Sequence, residues 1–214
     1  MEYPDSLRRI YNPPQILYCI GDVELLKCFS IGIVGCRGSS SYGNKIAKIF
    51  SSKLSEKGVC IISGLAIGID KVAHEGAIKN IGKTIAVLGS GIDVIYPKEN
   101  EELYNKIIEN GGLIISEFEP GTPPSKYTFP KRNRIISGLS SGIVVIEAKQ
   151  KSGTMITVEY ALEQGKNVYV IPGNIDSLNS VGTNALIKQG AKLVTNYMEV
   201  LEDCKDELID IILK

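Results

Sequence analysis

Tryptophan is absent from this chain, phenylalanine occurs four times and histidine once, at His74. A single imidazole excludes His-rich metal sites and paired-histidine acid–base chemistry, and so few aromatics of this kind mean that any stacking surface must be small. Cys19, Cys28, Cys36, Cys60 and Cys204 are odd in number, scattered, and without a CxxC spacing. They read as reduced thiols, not as a disulfide or zinc framework. No apolar stretch approaches the roughly 18–20 residues of a membrane span. The opening Met-Glu-Tyr-Pro-Asp has neither the basic nor the apolar region of a signal peptide. A cytoplasmic protein with no membrane span is the expectation. Repeats and low-complexity runs are also missing. The formal net charge is +0, which by itself argues against a general coat for nucleic acid.

What is present is a regular alternation. The chain has 214 residues, 43% of them hydrophobic, enough for one full core. Short runs rich in Ile and Val at 31–34, 59–62, 84–88, 112–115, 142–146 and 167–171 have the character of buried parallel strands. Helical patterns lie between and after them, at 42–57, 69–80, 100–110, 131–139, 154–164 and 181–189, and 192–194 offers a further edge strand. This pattern predicts an α/β fold: a doubly wound, mostly parallel sheet with helices on both faces. Residues 1–30, broken by Pro4, Pro13 and Pro14, read as a separate lead-in, 31–200 as the Rossmann-like domain, and 201–214 as an acidic tail. Val200, Leu201, Leu208, Ile209 and Ile212 would give a final surface helix its apolar side.

Charge is neutral in sum but not in distribution. Between positions 121 and 151 stand Lys126, Lys131, Arg132, Arg134, Lys149 and Lys151 against the one acid Glu147, whereas the chain beyond 198 is acidic. A local basic patch can hold a polyanion on a neutral protein. Pro130 suits the first turn of a helix, so the segment from Phe129 to Ser140 would set cations and backbone amides around a helix start. In an open parallel sheet, ligands bind beyond the carboxyl ends of the strands, and those ends carry small residues here: Gly35 and Ser39, Ser63 and Gly64, Gly89, Ser90 and Gly91. Together they predict an anion or phosphate pocket. Arg37 would overhang it, either gripping phosphate or closing a surface ion pair. Ser152-Gly153-Thr154 opens another helix beside Lys149 and Lys151 and offers a second cradle. Phe129 is either a base-stacking platform next to Lys126 or a core plug. Arg132 and Arg134 are as suited to bracing strand ends as to touching a bound polyanion.

Several enzyme classes fall away. Residues 32–38 have the spacing GxxGxxG, not GxGxxG, the strand ending at Ser63 carries no ribose-binding carboxylate, and no GxxxxGK[ST] occurs. No cofactor is therefore expected. Asp70, Asp93, Glu117 and Glu159 are plausible crevice carboxylates without a fixed partner spacing, and no Ser–His or Cys–His arrangement is readable. No catalytic residue and no metal ligand is assigned.

Taken in order, Gly35-Cys36-Arg37, the run Ser63-Gly64-Leu65-Ala66-Ile67-Gly68-Ile69-Asp70, Gly89-Ser90-Gly91-Ile92-Asp93 through Tyr96-Pro97, Phe129-Pro130-Lys131-Arg132-Asn133-Arg134, Ser152-Gly153-Thr154 and Gly182-Thr183-Asn184 closely resemble the DNA-processing protein A family, also called Smf. The resemblance runs from about Tyr3 to Leu201. It implies a bacterial cytosolic protein with an extended Rossmann-like domain that binds single-stranded DNA, protects it from nucleases and loads the RecA recombinase in natural transformation, with no reaction attached. It also implies a homodimer. Carried over by residue, the DNA contacts are Arg37, Lys126, Phe129, Lys151, Ser152, Gly153 and Thr154; the cations Lys131, Arg132 and Arg134 of the cluster itself are further candidates for DNA contact. Cys36 stands where a small hydroxyl residue is expected, and the length leaves no room for the helical N-terminal and winged-helix-like C-terminal domains of longer members. Two other readings compete: a nucleotide N-glycosidase resembling the Lonely-guy phosphoribohydrolases, and a nucleotide-sensing module. The first needs PGGxGTxxE, whereas here Glu159 follows Thr154 by five residues and the PGG is absent.

Overall fold

The computed structural model describes residues 3–206. Strands β1 (Tyr18–Gly21), β2 (Ser30–Val34), β3 (Cys60–Ser63), β4 (Thr84–Val87), β5 (Leu113–Ser116), β6 (Gly142–Val145), β7 (Asn167–Val170) and β8 (Lys192–Leu193) form one sheet in the order β1-β5-β4-β3-β2-β6-β7-β8. All neighbours are parallel except β1, which runs antiparallel to β5 with Tyr18 opposite Ser116. Helices α1 (Asp5–Arg8), α2 (Ser41–Glu56), α3 (Ile69–Ala77), α4 (Glu101–Glu109), α5 (Thr128–Leu139), α6 (Gly153–Glu163), α7 (Val181–Lys188) and α8 (Tyr197–Asp203) connect and flank the strands. The expected doubly wound α/β fold is present.

The inner strands β2–β7 are short and buried on both faces, apart from the first residue of β7, so alternate side chains feed different cores. Ile143 and Val145 of β6, and Val168 and Val170 of β7, join the face covered by α1, α5 and α6. Val144, Ile146, Tyr169 and Ile171 point the other way, into the cluster under α2, α3 and α8. A smaller cluster around Leu103, Tyr104 and Ile107 seats α4 against β4 and β5. Each fully buried Ile, Val or Leu contributes roughly 1.5–3 kcal/mol relative to exposure.

One expectation shifts. The lead-in is not separate: Leu7 and Ile10 are buried, both pack where Gly138 of α5 leaves room, and β1 extends the sheet. Only four residues long and preceded by two prolines, β1 has no readable period. Helix α8 ends at Asp203, with Val200 buried beneath it; Leu208, Ile209 and Ile212, expected to extend a final helix, lie outside the described residues. The strand order reverses between β2 and β6, since β3, β4 and β5 step one way from β2 and β7 and β8 the other. Such a switch point opens a crevice at the carboxyl ends of the strands.

Candidate nucleic-acid interface

A crevice of about 600 Å³ lies at that switch point. One wall follows β2: Gly35, Cys36 and Arg37. The other follows β6 and starts α6: Lys149, Ser152, Gly153 and Thr154. The start of α5 supplies Lys126, Phe129, Arg132 and Asn133, and Ala66 and Asp70 close the end near β3. Gly68 holds the loops of β2 and β3 together. Its φ is +83°, and a Cβ there would run into the carbonyls of Cys36 and Arg37; only glycine combines that backbone with that approach. The Ile69 N–H donates to the Cys36 carbonyl at 3.2 Å, fixing the loop from which Arg37 projects.

Three cations that line the crevice, Arg37, Lys126 and Lys149, are exposed and unpaired, and Lys151 is exposed outside that lining. Arg37, Lys126, Lys149 and Lys151 form no ion pair among the described residues. The Arg37 guanidinium lies 5.1 Å from the centre of the half-buried Phe129 ring, and the Lys126 ammonium 5.1 Å from the Tyr127 ring. Glu147, the one acid of the basic stretch, is buried and withdrawn from them. Its carboxylate accepts from the Ser40 N–H at 2.9 Å and from Asn179 Nδ2 at 3.3 Å, so it pins the start of α2 instead of neutralising the rim. Ser152 turns its hydroxyl to the Lys149 carbonyl at 3.1 Å, and no side chain caps α6. The first amides of α6 thus meet the crevice with the positive end of the helix dipole. The arrangement can receive phosphates on cations and amides, and a base on one aromatic ring.

Over residues 1–205 the sequence matches the family described as DNA recombination-mediator protein A. The chain belongs to that family. It is 46% identical over 202 residues to the DNA processing protein DprA of Streptococcus pneumoniae, covering 94% of this chain and 71% of that protein. It is 45% identical over 201 residues to the Smf protein of Escherichia coli, of which it spans 54%. The crystal structure of S. pneumoniae DprA superposes with a TM-score of 0.88 over 94% of this chain and 70% of that one. DNA processing protein A of Helicobacter pylori, 31% identical, gives the same TM-score over 97% of this chain and 94% of that one, and its structural description concerns a single-stranded DNA binding mode. A molybdenum cofactor binding protein of Rippkaea orientalis, 17% identical with a TM-score of 0.59, shares the fold alone.

In this member of the recombination-mediator family, the cation cluster after Phe129 is divided by its partners. Arg132 is buried beneath the crevice, donating from Nη1 to the Gly64 carbonyl at 2.6 Å and to the Val87 carbonyl, and from Nε to Asn133 Oδ1 at 3.1 Å. Burial lowers its pKa to about 10, with Asp70 opposing the shift and Arg37 adding to it. Asn133 in turn donates to the Gly153 carbonyl at 3.2 Å. Arg134 points away from the crevice. It makes a bidentate pair with Glu117 at 2.7 and 2.7 Å and donates to the Asn12 carbonyl at 3.0 Å. Lys131 joins the same Glu117 at 3.1 Å. Lys131 and Arg134 are therefore committed elsewhere, and Arg132 is a brace held to the strand ends through Nε and Nη1.

The expected pocket of small residues also needs correction. Gly35 lines the crevice, but Ser39 donates to Asn44 Oδ1 at 2.6 Å, Ser63 to the Ile33 carbonyl at 2.7 Å and Ser90 to the Val94 carbonyl at 2.7 Å. The Gly64 N–H donates to Asp70 Oδ2 at 3.2 Å, and that of Gly91 to the Thr122 carbonyl at 2.8 Å. Gly64 and Gly89 are small for packing: a Cβ would strike the Arg132 guanidinium at the first and the Phe129 ring, at 2.6 Å, at the second. These glycines mark close approach of α5 to the strand ends.

Lys149 lines the crevice although it carried no site assignment above; its place three residues past the apolar run of β6, like that of Arg37 after β2, was the available signal. Asp70 is buried and its pKa raised by desolvation, with Arg132 opposing. Asp93 accepts from the Gly121 N–H at 2.7 Å, and Glu159 is exposed on α6 outside the crevice lining. No group of three or more His, Cys, Asp or Glu among the described residues could hold a metal ion, and no helix there is long and apolar enough to cross a membrane.

Proposed function

We propose that this chain binds single-stranded DNA in the switch-point crevice without reading its sequence. The observation that carries the reading is the set of three exposed, unpaired cations, Arg37, Lys126 and Lys149, that line one crevice with a half-buried phenylalanine at the carboxyl edge of the sheet. Phosphates meet Arg37, Lys126 and Lys149 and the first amides of α6, and a base stacks at Phe129. Sequence readout calls for bidentate amide or guanidinium donors aimed at base edges. The Asn133 amide and the Nε and Nη1 of Arg132, which could supply them, are engaged by protein partners. The family resemblance extends the role to protecting the strand and delivering it to the RecA recombinase, in the cytoplasm and as a homodimer. That role needs no chemical step at the crevice, and we read the chain as a binding protein, not an enzyme.

The test is binding of a labelled oligothymidylate by Arg37→Ala and Lys126→Ala. Each substitution is expected to weaken binding on the order of ten-fold and to lower the salt dependence, with an unchanged melting temperature. Binding equal to the parent in both variants would remove the crevice as the site. Release of free base from AMP would restore the glycosidase reading.

A further inference from the structure

We propose that Tyr96 is a second base-stacking position, so that the strand leaves the crevice across Phe129 and continues onto the loop after β4. The inference rests on the function proposed above and specifies the course of the strand. A solitary exposed tyrosine needs no explanation. This one is joined to the site: its ring centre lies 5.7 Å from that of Phe129, tilted by 40°, while Arg37 stands over the same phenylalanine. Tyr96 is 45% exposed, and its hydroxyl has no hydrogen bond among the described residues.

The loop that carries Tyr96 is held rigidly. Ser90 donates to the Val94 carbonyl, Tyr104 to the Ile92 carbonyl at 3.0 Å, Asp93 accepts from the Gly121 N–H, and the Gly91 N–H donates to the Thr122 carbonyl. A fixed ring loses little freedom when a base settles on it. The spacing decides where that base lies. A base sandwiched between two rings needs about 7 Å, two van der Waals separations of roughly 3.5 Å. At 5.7 Å the rings exclude it, so the second base stacks on the outer face of Tyr96, one nucleotide beyond the base at Phe129. Sequence alone gives no sign of this, because Tyr96 and Phe129 stand 33 positions apart with α4 and β5 between them. The ligand is an unpaired nucleobase of any identity, since every base has a π face.

The experiment compares Tyr96→Leu, Tyr96→Phe and Arg37→Ala for binding of a short oligothymidylate over a range of salt. Tyr96→Leu is expected to weaken binding on the order of ten-fold with an unchanged salt slope, because a lost stack releases no counterions. Tyr96→Phe keeps the ring and should stay within about two-fold of the parent. Leucine binding as tightly as the parent, or phenylalanine failing as badly as leucine, overturns the proposal. Should Tyr96→Leu not fold, abasic substitution along the oligonucleotide on the unaltered protein decides: two adjacent base-dependent positions support the second stack, and a single one refutes it. Failure of the parent to bind any single strand would instead sink the functional reading. A loss confined to Arg37→Ala leaves that reading standing and removes only the Tyr96 position.

Discussion

A cation is defined by what its partners leave it free to do. Arg132, Arg134 and Arg37 are alike in chemistry, yet the first two are buried and donate to carbonyls or a carboxylate, and of the three only Arg37 is exposed and unpaired. His74 shows the same dependence on partners. Its Nε2 accepts from the Leu65 N–H at 3.3 Å; its Nδ1 faces Thr84 Oγ1 at 2.8 Å, and that hydroxyl donates to the Ile61 carbonyl. With the threonine proton spent, Nδ1 must carry the imidazole proton, which makes the ring neutral. Burial, reinforced by the Arg132 charge, lowers its pKa from 6.5 to about 3. Because the folded value is depressed, the unfolded chain takes up the proton first on acidification. The stabilising contribution is complete above pH 6.5 and is lost as pH falls from there towards 3, by at most about 1.4 kcal/mol per pH unit. Asp70, whose pKa is raised, acts with the opposite sign just above its ordinary 3.8 and offsets part of the loss at the acid end. Urea unfolding at stepped pH should show the decline, His74→Gln should flatten it, and the single imidazole should keep its neutral NMR shift well below pH 6. A ring titrating near 6.5 would contradict this account.

At the scale of elements, the parallel strands were legible because each is a short Ile- and Val-rich run, and the helices because their apolar faces repeat at helical spacing. β1 was not, being four residues long and paired only through contacts distant in sequence. Helix α5 was legible as a helix but not in its orientation. Nothing in Lys131-Arg132-Asn133-Arg134 says which cation faces which wall; the three-dimensional neighbours Gly64, Gly153 and Glu117 decide. α5 thereby acts as a staple joining the strand ends, the start of α6 and the lead-in. Its strongest tie is the Arg134–Glu117 pair, both side chains 4% exposed. Glu117→Gln leaves a buried guanidinium without a counter-charge, which costs about 3–5 kcal/mol. The melting temperature should fall by about 10 °C. Single-strand affinity of the folded protein, measured well below the transition, should remain within about two-fold. A large loss of affinity without a loss of stability would move Arg134 from the staple to the binding surface.

For the whole molecule, sheet topology gathers charge that the composition hides. The net charge is +0, yet the switch between β2 and β6 brings Arg37, Lys126 and Lys149 to one crevice. Three phosphate contacts predict that the logarithm of the single-strand binding constant falls against the logarithm of salt with a slope of about −2, since each contributes roughly 0.7. A homodimer placing two such crevices on one long strand would approach twice that slope and gain avidity without new contacts. Duplex DNA can meet the same cations but keeps its bases stacked on one another, so it forgoes the ring at Phe129. Salt screens the shared phosphate term and leaves stacking almost untouched. Preference for single-stranded over duplex DNA should therefore persist as salt is raised and total affinity collapses. Phe129→Leu should erase most of that preference while leaving the single-strand slope near −2. If the preference instead vanishes with salt in the parent protein, discrimination between the two forms comes from charge spacing, and Phe129 is a wall of the crevice and no more.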